Sequence, residues 1–225
     1  MNPELKDTHK SMLELGLAAL AHANWHANYY SCENHMWSQL SVLQAAHAAE
    51  ILIKARIAQE HPLLIFEQLP KSTQVSSETL DFAHLVEKAK TIQYFDLPER
   101  LWAATGIKLQ TTDVFKSFGN LRNCLQHFAD PCGRDCAEET IQFIYKVIDP
   151  FINQCWGLCA VDHNEDSERH IYLIENLIRH NIEFLVSEEA LSSLQYVQFE
   201  WSDNQAYKYK TLKRLKEAGF DTKGL

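Results

Sequence analysis

Residues 35–60 read HMWSQLSVLQAAHAAEILIKARIAQE. No glycine or proline interrupts this stretch until Pro62. Val42, Ala46, Ala49, Ile53 and Ile57 recur at spacings of three and four, which places them on one stripe of a long helix. His47, Glu50 and Lys54 carry the same spacing and fall together on the shoulder of that stripe.

The pattern repeats on both sides. Upstream, Leu5, Met12, Leu13, Leu17 and Leu20 predict a helix over 3–31, with Pro3 at its first position and Asn2 as its cap. Downstream, 61–79 reads as an irregular connection holding Pro62, Pro70 and a Ser/Thr-rich run. Phe82, Leu85, Val86 and Ala89 predict a helix over 78–92, and a short one runs from Pro98 to Thr105 before Gly106.

Residues 111–129 predict another helix, with Thr111, Thr112 or Asp113 as cap and Phe118, Leu121, Leu125 and Phe128 as its buried stripe. Gly119 weakens it. DPCGRD (130–135) is a turn by composition, and 136–159 returns to helix with Pro150 as a kink or restart. Asp162 to Glu168 reads as an acidic linker. A helix over 167–186, one short strand around Val197, Phe199 and Trp201, and a basic helix over 205–218 complete the chain.

The expected fold is therefore an all-α, up-and-down helical bundle over 1–160, with a C-terminal extension over 161–225. Seven glycines and six prolines in 225 residues are too few for the turns of an all-β fold. Apolar residues make up 46%, ample for a core.

The formal charge of −9 argues against nonspecific coating of nucleic acid or an anionic membrane. It is uneven. Residues 206–225 carry six Lys/Arg against Glu217 and Asp221, a net +4, which leaves −13 for the rest. That basic tail suits a solvated or partner-binding helix better than an RNA contact. Charges through the first 20 residues predict no secretory signal there, and no apolar run approaches the roughly 20 residues of a membrane span. The expected location is cytoplasmic, with cysteines kept as thiols.

Chemistry concentrates in Leu121-Arg122-Asn123-Cys124-Leu125-Gln126-His127-Phe128. At about 100° per residue, Arg122, Asn123, Gln126 and His127 fall off the apolar stripe. Asn123 and His127 are four apart, so the amide can orient the imidazole. An imidazole exchanges protons near neutrality, and a guanidinium binds phosphate oxygens with a planar fork. Together they suit attack of an RNA 2′-hydroxyl on the adjacent phosphorus without a metal. An Arg and a His on one polar face also arise often by chance.

This segment resembles the R-x4-6-H motif of HEPN domains, in which a polar residue commonly follows the arginine. The motif positions here are Arg122, Asn123 and His127. His47-Ala-Ala-Glu50-Ile-Leu-Ile-Lys54 is similar to that family's second long helix, from which an acidic residue often approaches the motif. The resemblance covers about residues 3–159. It implies a homodimer whose two motif helices face each other across a twofold axis and build a shared cleft. It further implies a metal-independent endoribonuclease of RNA processing, toxin–antitoxin or phage-defence systems, with no cofactor and with a regulatory protein partner in some settings. Arg122 would bind the scissile phosphate, His127 would transfer protons, Asn123 would orient His127 or bind phosphate, and Glu50 would position Arg122. His47, Lys54 and Gln126 would stand in support. The reading from a different class is a non-catalytic helical dimer that binds a protein or a nucleotide.

Other constellations weigh less. Cys132 with Cys136, and Cys155 with Cys159, could supply four thiolates to zinc, but their three-residue spacing favours buried free cysteines. His22 and His26 are four apart with His35 nearby, yet Ala23-Asn24-Trp25 between them lacks a carboxylate, so they read as surface or interface histidines. Trp25, Tyr29, Tyr30 and Trp37 could stack bases, although helical spacing makes packing the default. No phosphate-binding glycine loop or nucleophile elbow is present.

Overall fold

The computed structural model describes residues 3–71, 80–129 and 133–225. It is an all-α helical bundle whose only described sheet is one two-stranded antiparallel pair. The helices run in the order α1 (Pro3–Lys6), α2 (Thr8–Asn28), α3 (Trp37–Glu60), α4 (Phe82–Lys88), α5 (Leu97–Thr105), α6 (Thr112–Phe128), α7 (Cys136–Phe143) and α8 (Asp149–Trp156). Then follow α9 (Ile171–Arg179), α10 (Glu188–Ser193) and α11 (Gln205–Glu217). Strands β1 (Phe66–Gln68) and β2 (Lys90–Thr91) pair between α3 and α5.

Helix α3 is the axis of the molecule, packing against α2, α5, α6 and α7. All five residues of its expected stripe are buried, but so are Ala45, Ala48, Leu52 and Ala55. The alanines make this possible, since neighbours can close on a helix with little side-chain bulk. On α2, Gly16 serves the same end: a Cβ there would meet Leu52 Cγ at 2.7 Å.

From Cys136 to Trp156 the chain stays helical, but Ile144–Ile148 form a π turn between α7 and α8. Pro150 sits in the first turn of α8 and has no N–H for the Lys146 carbonyl four residues back. That oxygen instead lies 3.1 Å from the Thr111 hydroxyl at the start of α6.

Several expectations need correction. Helix α4 ends at Lys88, and Lys90–Thr91, inside the helix expected over 78–92, form strand β2 instead. Helix α9 covers only 171–179, because Asn181 turns left-handed at φ 57° and closes the end. Its N–H reaches the Ile178 carbonyl at 3.1 Å, and Ile182 N–H reaches Leu177 at 2.9 Å. Residues 197–201 are not a strand. Val197, Phe199 and Trp201 do alternate inward, but no neighbouring backbone pairs with them; Phe199 and Trp201 stack 5.6 Å apart instead. The two strands among the described residues span three and two residues, too short to leave a period.

The acidic segment 162–168 is not a free linker. Asp162 accepts from Ser187 Oγ at 2.6 Å and contacts His170 Nε2 at 3.0 Å. Glu165 meets His22 Nδ1 at 2.8 Å, and Tyr29 donates to Asp166. The buried amide of Asn24 donates to the carbonyls of Ala160 and His163. Asp149, 1% exposed, accepts from the backbone N–H of Ala160 at 2.7 Å and of Leu185 at 2.9 Å. One hydrophobic cluster runs through residues on both sides of position 160, taking in Leu173, Ile174, Leu177, Ile178 and Leu215. The basic tail is largely paired: Lys210 meets Glu183 at 2.5 Å, and Arg214 bonds Glu183 and the Phe184 carbonyl. Among the described residues, no helix is long and apolar enough to cross a membrane.

Candidate functional site

The site is assembled by α3, α6 and the 3-10 turn Tyr94–Asp96 that precedes α5. Phe115, Phe118 and Leu121 anchor α6 in the core. Phe118 stacks on Phe143 at 3.9 Å, and Phe115 stacks on Tyr94 at 4.3 Å. That anchoring turns Arg122 toward α3.

Gly119 is the element that makes room. A Cβ there would lie 2.6 Å from a Tyr94 ring carbon and 2.9 Å from one of Phe95. The glycine that weakens α6 as a helix therefore admits the tyrosine on which the arginine rests. The Arg122 guanidinium carbon lies 5.9 Å from the centroid of the Tyr94 ring, within cation–π reach.

Glu50 on α3 bridges two cations. One carboxylate oxygen accepts from Lys54 Nζ at 2.6 Å, and the other lies 4.0 Å from an Arg122 nitrogen. The lysine is only 5% exposed, and this carboxylate compensates for its burial. The same carboxylate thus serves Lys54 and Arg122. Arg122 also donates to the Asn123 side-chain oxygen at 3.0 Å. The guanidinium, half-buried, is thus oriented from two sides and from below.

The Tyr94 hydroxyl is buried and has no partner among the described residues. Burial holds this phenol well above its ordinary range; the Glu50 carboxylate adds to the effect and Arg122 opposes it. It stays protonated at any physiological pH.

The remaining motif residues are placed differently. His127 and Gln126 are exposed on the last turn of α6. No hydrogen bond among the described residues joins His127 to Arg122 or Asn123; the Asn123 oxygen faces the arginine, not the imidazole. Phe128 was expected in the buried stripe, yet it is 78% exposed with its ring 6.2 Å from that of His127. Position 128 lies beyond the point where α6 contacts the core. His47 is exposed on α3 and takes no part in the arginine network among the described residues. An exposed histidine and phenylalanine side by side thus follow a fixed arginine by one turn and a half.

Cys155 is half-buried and Cys159 buried; burial pushes both thiols up to about 11, which keeps them protonated. Cys136 is buried, and Cys132 lies outside the described residues. His22 bonds Glu165, His26 is buried against Trp37, and His35 is exposed.

No local pattern signals Tyr94 as part of the site, because the turn that carries it precedes the motif by nearly thirty residues. Gly119 was the only trace, a glycine at a core-facing helical position. Its replacement is a direct test. Gly119→Ala should gain about 1 kcal/mol of helix propensity and lose about 1–3 kcal/mol to overpacking. The expected balance in urea denaturation is a net loss, together with a weakened Arg122–Tyr94 contact; a net gain would show that Tyr94 moves aside freely.

Compared with known proteins, the chain matches no family model, no curated sequence and no solved structure.

Proposed function

We propose that the chain is a metal-independent endoribonuclease of the HEPN type that works as a homodimer. The observation that carries this reading is the Arg122 guanidinium, held by Glu50, Asn123 and the Tyr94 ring and followed on the same helix by the exposed imidazole of His127. A guanidinium with restricted freedom loses less entropy when it binds a phosphate. An imidazole in water is free to meet a substrate.

In the reaction, one imidazole takes the proton of the RNA 2′-hydroxyl. The 2′-oxygen attacks the adjacent phosphorus, and the bond from phosphorus to the 5′-oxygen breaks. A second imidazole, from the other protomer, gives a proton to that departing oxygen. Arg122 balances the charge gathering on the non-bridging oxygens. The exposed Phe128 beside His127 supplies apolar area for the pairing of two α6 ends.

A short RNA with one 2′-deoxy nucleotide tests the chemistry. Cleavage should leave 2′,3′-cyclic phosphate or its hydrolysis products, and it should fail at the deoxy position. Cleavage at that position would exclude 2′-hydroxyl attack.

A second reading has its own observation. Arg122 and Lys54 share one carboxylate in a largely buried network, which is also how a helical scaffold would neutralise them. On that reading the exposed Phe128 marks a face for a protein partner, and both charges stabilise the fold without touching a substrate.

A further inference from the structure

Two cations and one carboxylate meet beside Tyr94. Lys54 Nζ lies 2.6 Å from one Glu50 oxygen, and an Arg122 nitrogen lies 4.0 Å from the other. Among the described residues, no other carboxylate comes within 4.0 Å of either cation. Tyr94 adds no charge, since its phenol stays protonated. Two positive groups against one negative group leave the cluster with one positive charge. That surplus sits in a chain whose formal charge is −9. A network that only held helices together has no need of it, because an uncompensated, partly buried charge costs stability.

The two cations differ in exposure. The Lys54 side chain is 6% exposed and closed to a substrate, whereas that of Arg122 is 29% exposed. The surplus therefore reaches solvent through the arginine.

The two distances differ for a reason that lies in the sequence. Glu50 and Lys54 are four apart on α3, so they meet within one helix. Arg122 comes from α6. Without Lys54, the carboxylate would draw the guanidinium from 4.0 Å into hydrogen-bond contact, at about 2.8 Å. It would then cover an edge of the fork that a phosphate uses, and it would cancel the charge.

We infer that Lys54 is a positioning residue: it holds Glu50 back from Arg122 and leaves the guanidinium open to an RNA phosphodiester. This role rests on the reading of Arg122 as the phosphate-binding group. Lys54 itself touches no substrate.

Fluorescence anisotropy with a short labelled RNA, fully 2′-O-methylated, measures binding without cleavage. Circular dichroism melts confirm that each variant folds. Lys54→Met should weaken binding about tenfold, as Arg122→Ala should. It should also flatten the dependence of log affinity on log salt by about 0.7, the share of one single-strand phosphate contact. A loss of packing alone would leave that slope unchanged. Lys54→Gln keeps a hydrogen bond to Glu50 without the charge. It should behave as Lys54→Met does, and it stands in if methionine is not tolerated there. Lys54→Met combined with Glu50→Gln removes the pair and frees Arg122, so binding should return to within about threefold of wild type. Wild-type affinity and slope in the folded Lys54 variants, beside a weakened Arg122→Ala, would overturn this role and leave the phosphate-binding arginine standing. Failure of the double variant to recover would overturn it too. No binding by the wild type, or no effect of Arg122→Ala, would remove the phosphate-binding reading and this role with it.

Discussion

Asp149→Ala should lower the unfolding free energy by about 2–5 kcal/mol, the largest stability loss expected of any single substitution here. The side chain is buried, and its two oxygens accept separately from Ala160 and Leu185 N–H. Truncation leaves two buried donors without partners and severs the ties that fix residues 160–185 to α8. The segment should become sensitive to limited proteolysis before the bundle does. A loss below about 1 kcal/mol would show that those donors find other partners.

The same carboxyl carries a pH signature. Burial pushes its pKa up to about 6, against two backbone hydrogen bonds that pull it down. A carboxyl with a raised folded pKa binds its proton more tightly in the folded state. Its contribution is therefore fully present below the unfolded value near 4 and is lost as pH rises through about 6. Between pH 7 and pH 4 this group alone should add roughly 2–4 kcal/mol. His26 and His163, with pKa values lowered first by burial, act in the opposite sense over part of that range. The difference between wild type and Asp149→Asn, measured across pH, isolates the carboxyl. A difference that does not change with pH would contradict the assignment.

The second large effect concerns catalysis. His127→Ala should reduce RNA cleavage by about 10²–10⁴-fold, the range for loss of a proton-transfer group. Arg122→Ala should reduce it by about 10²–10³-fold, the range for loss of a charge-stabilising donor. The two variants should differ in stability. His127 is exposed and makes no hydrogen bond or ion pair among the described residues, so its loss should be nearly silent in denaturation. Arg122 leaves behind Glu50, still paired with Lys54, and an uncovered Tyr94 ring, so its loss should cost about 1 kcal/mol or more. Arg122→Lys should not restore activity, because an ammonium cannot reproduce the fork between Glu50, Asn123 and phosphate. Equal activity in His127→Ala would remove the imidazole from the mechanism.

Much of this fold was legible because helices announce themselves through local spacing. The stripe of α3 from Val42 to Ile57 is buried as its period implied. Gly106 ends α5 with a positive φ as expected, whereas Gly157 closes α8 at Trp156, inside the helix expected to run to 159. What escaped was set by distant contacts. Nothing local says that Asp162, Glu165 and Asp166 meet His170, His22 and Tyr29, so an acidic run looked like a solvated linker. Asn181 is a residue type that accepts a left-handed turn, and it could have shortened the expected helix.

The candidate site divides along the same line. Glu50, Lys54, Arg122 and Asn123 do converge, since each lies on a strongly periodic helix. The expected Asn123–His127 contact did not form, because the arginine next door claims the amide oxygen. Tyr94 could not be found from spacing. Phe128 was misplaced because periodicity fixes direction around a helix but not how far along it the core extends.

The central claim is that Arg122 and His127 cleave RNA without a metal. Purified wild type, Arg122→Ala and His127→Ala should each be incubated with total RNA in EDTA. Cleavage by the wild type, lost in both folded variants, is the predicted result. No cleavage by the wild type, or equal cleavage by all three, would contradict catalysis at this motif.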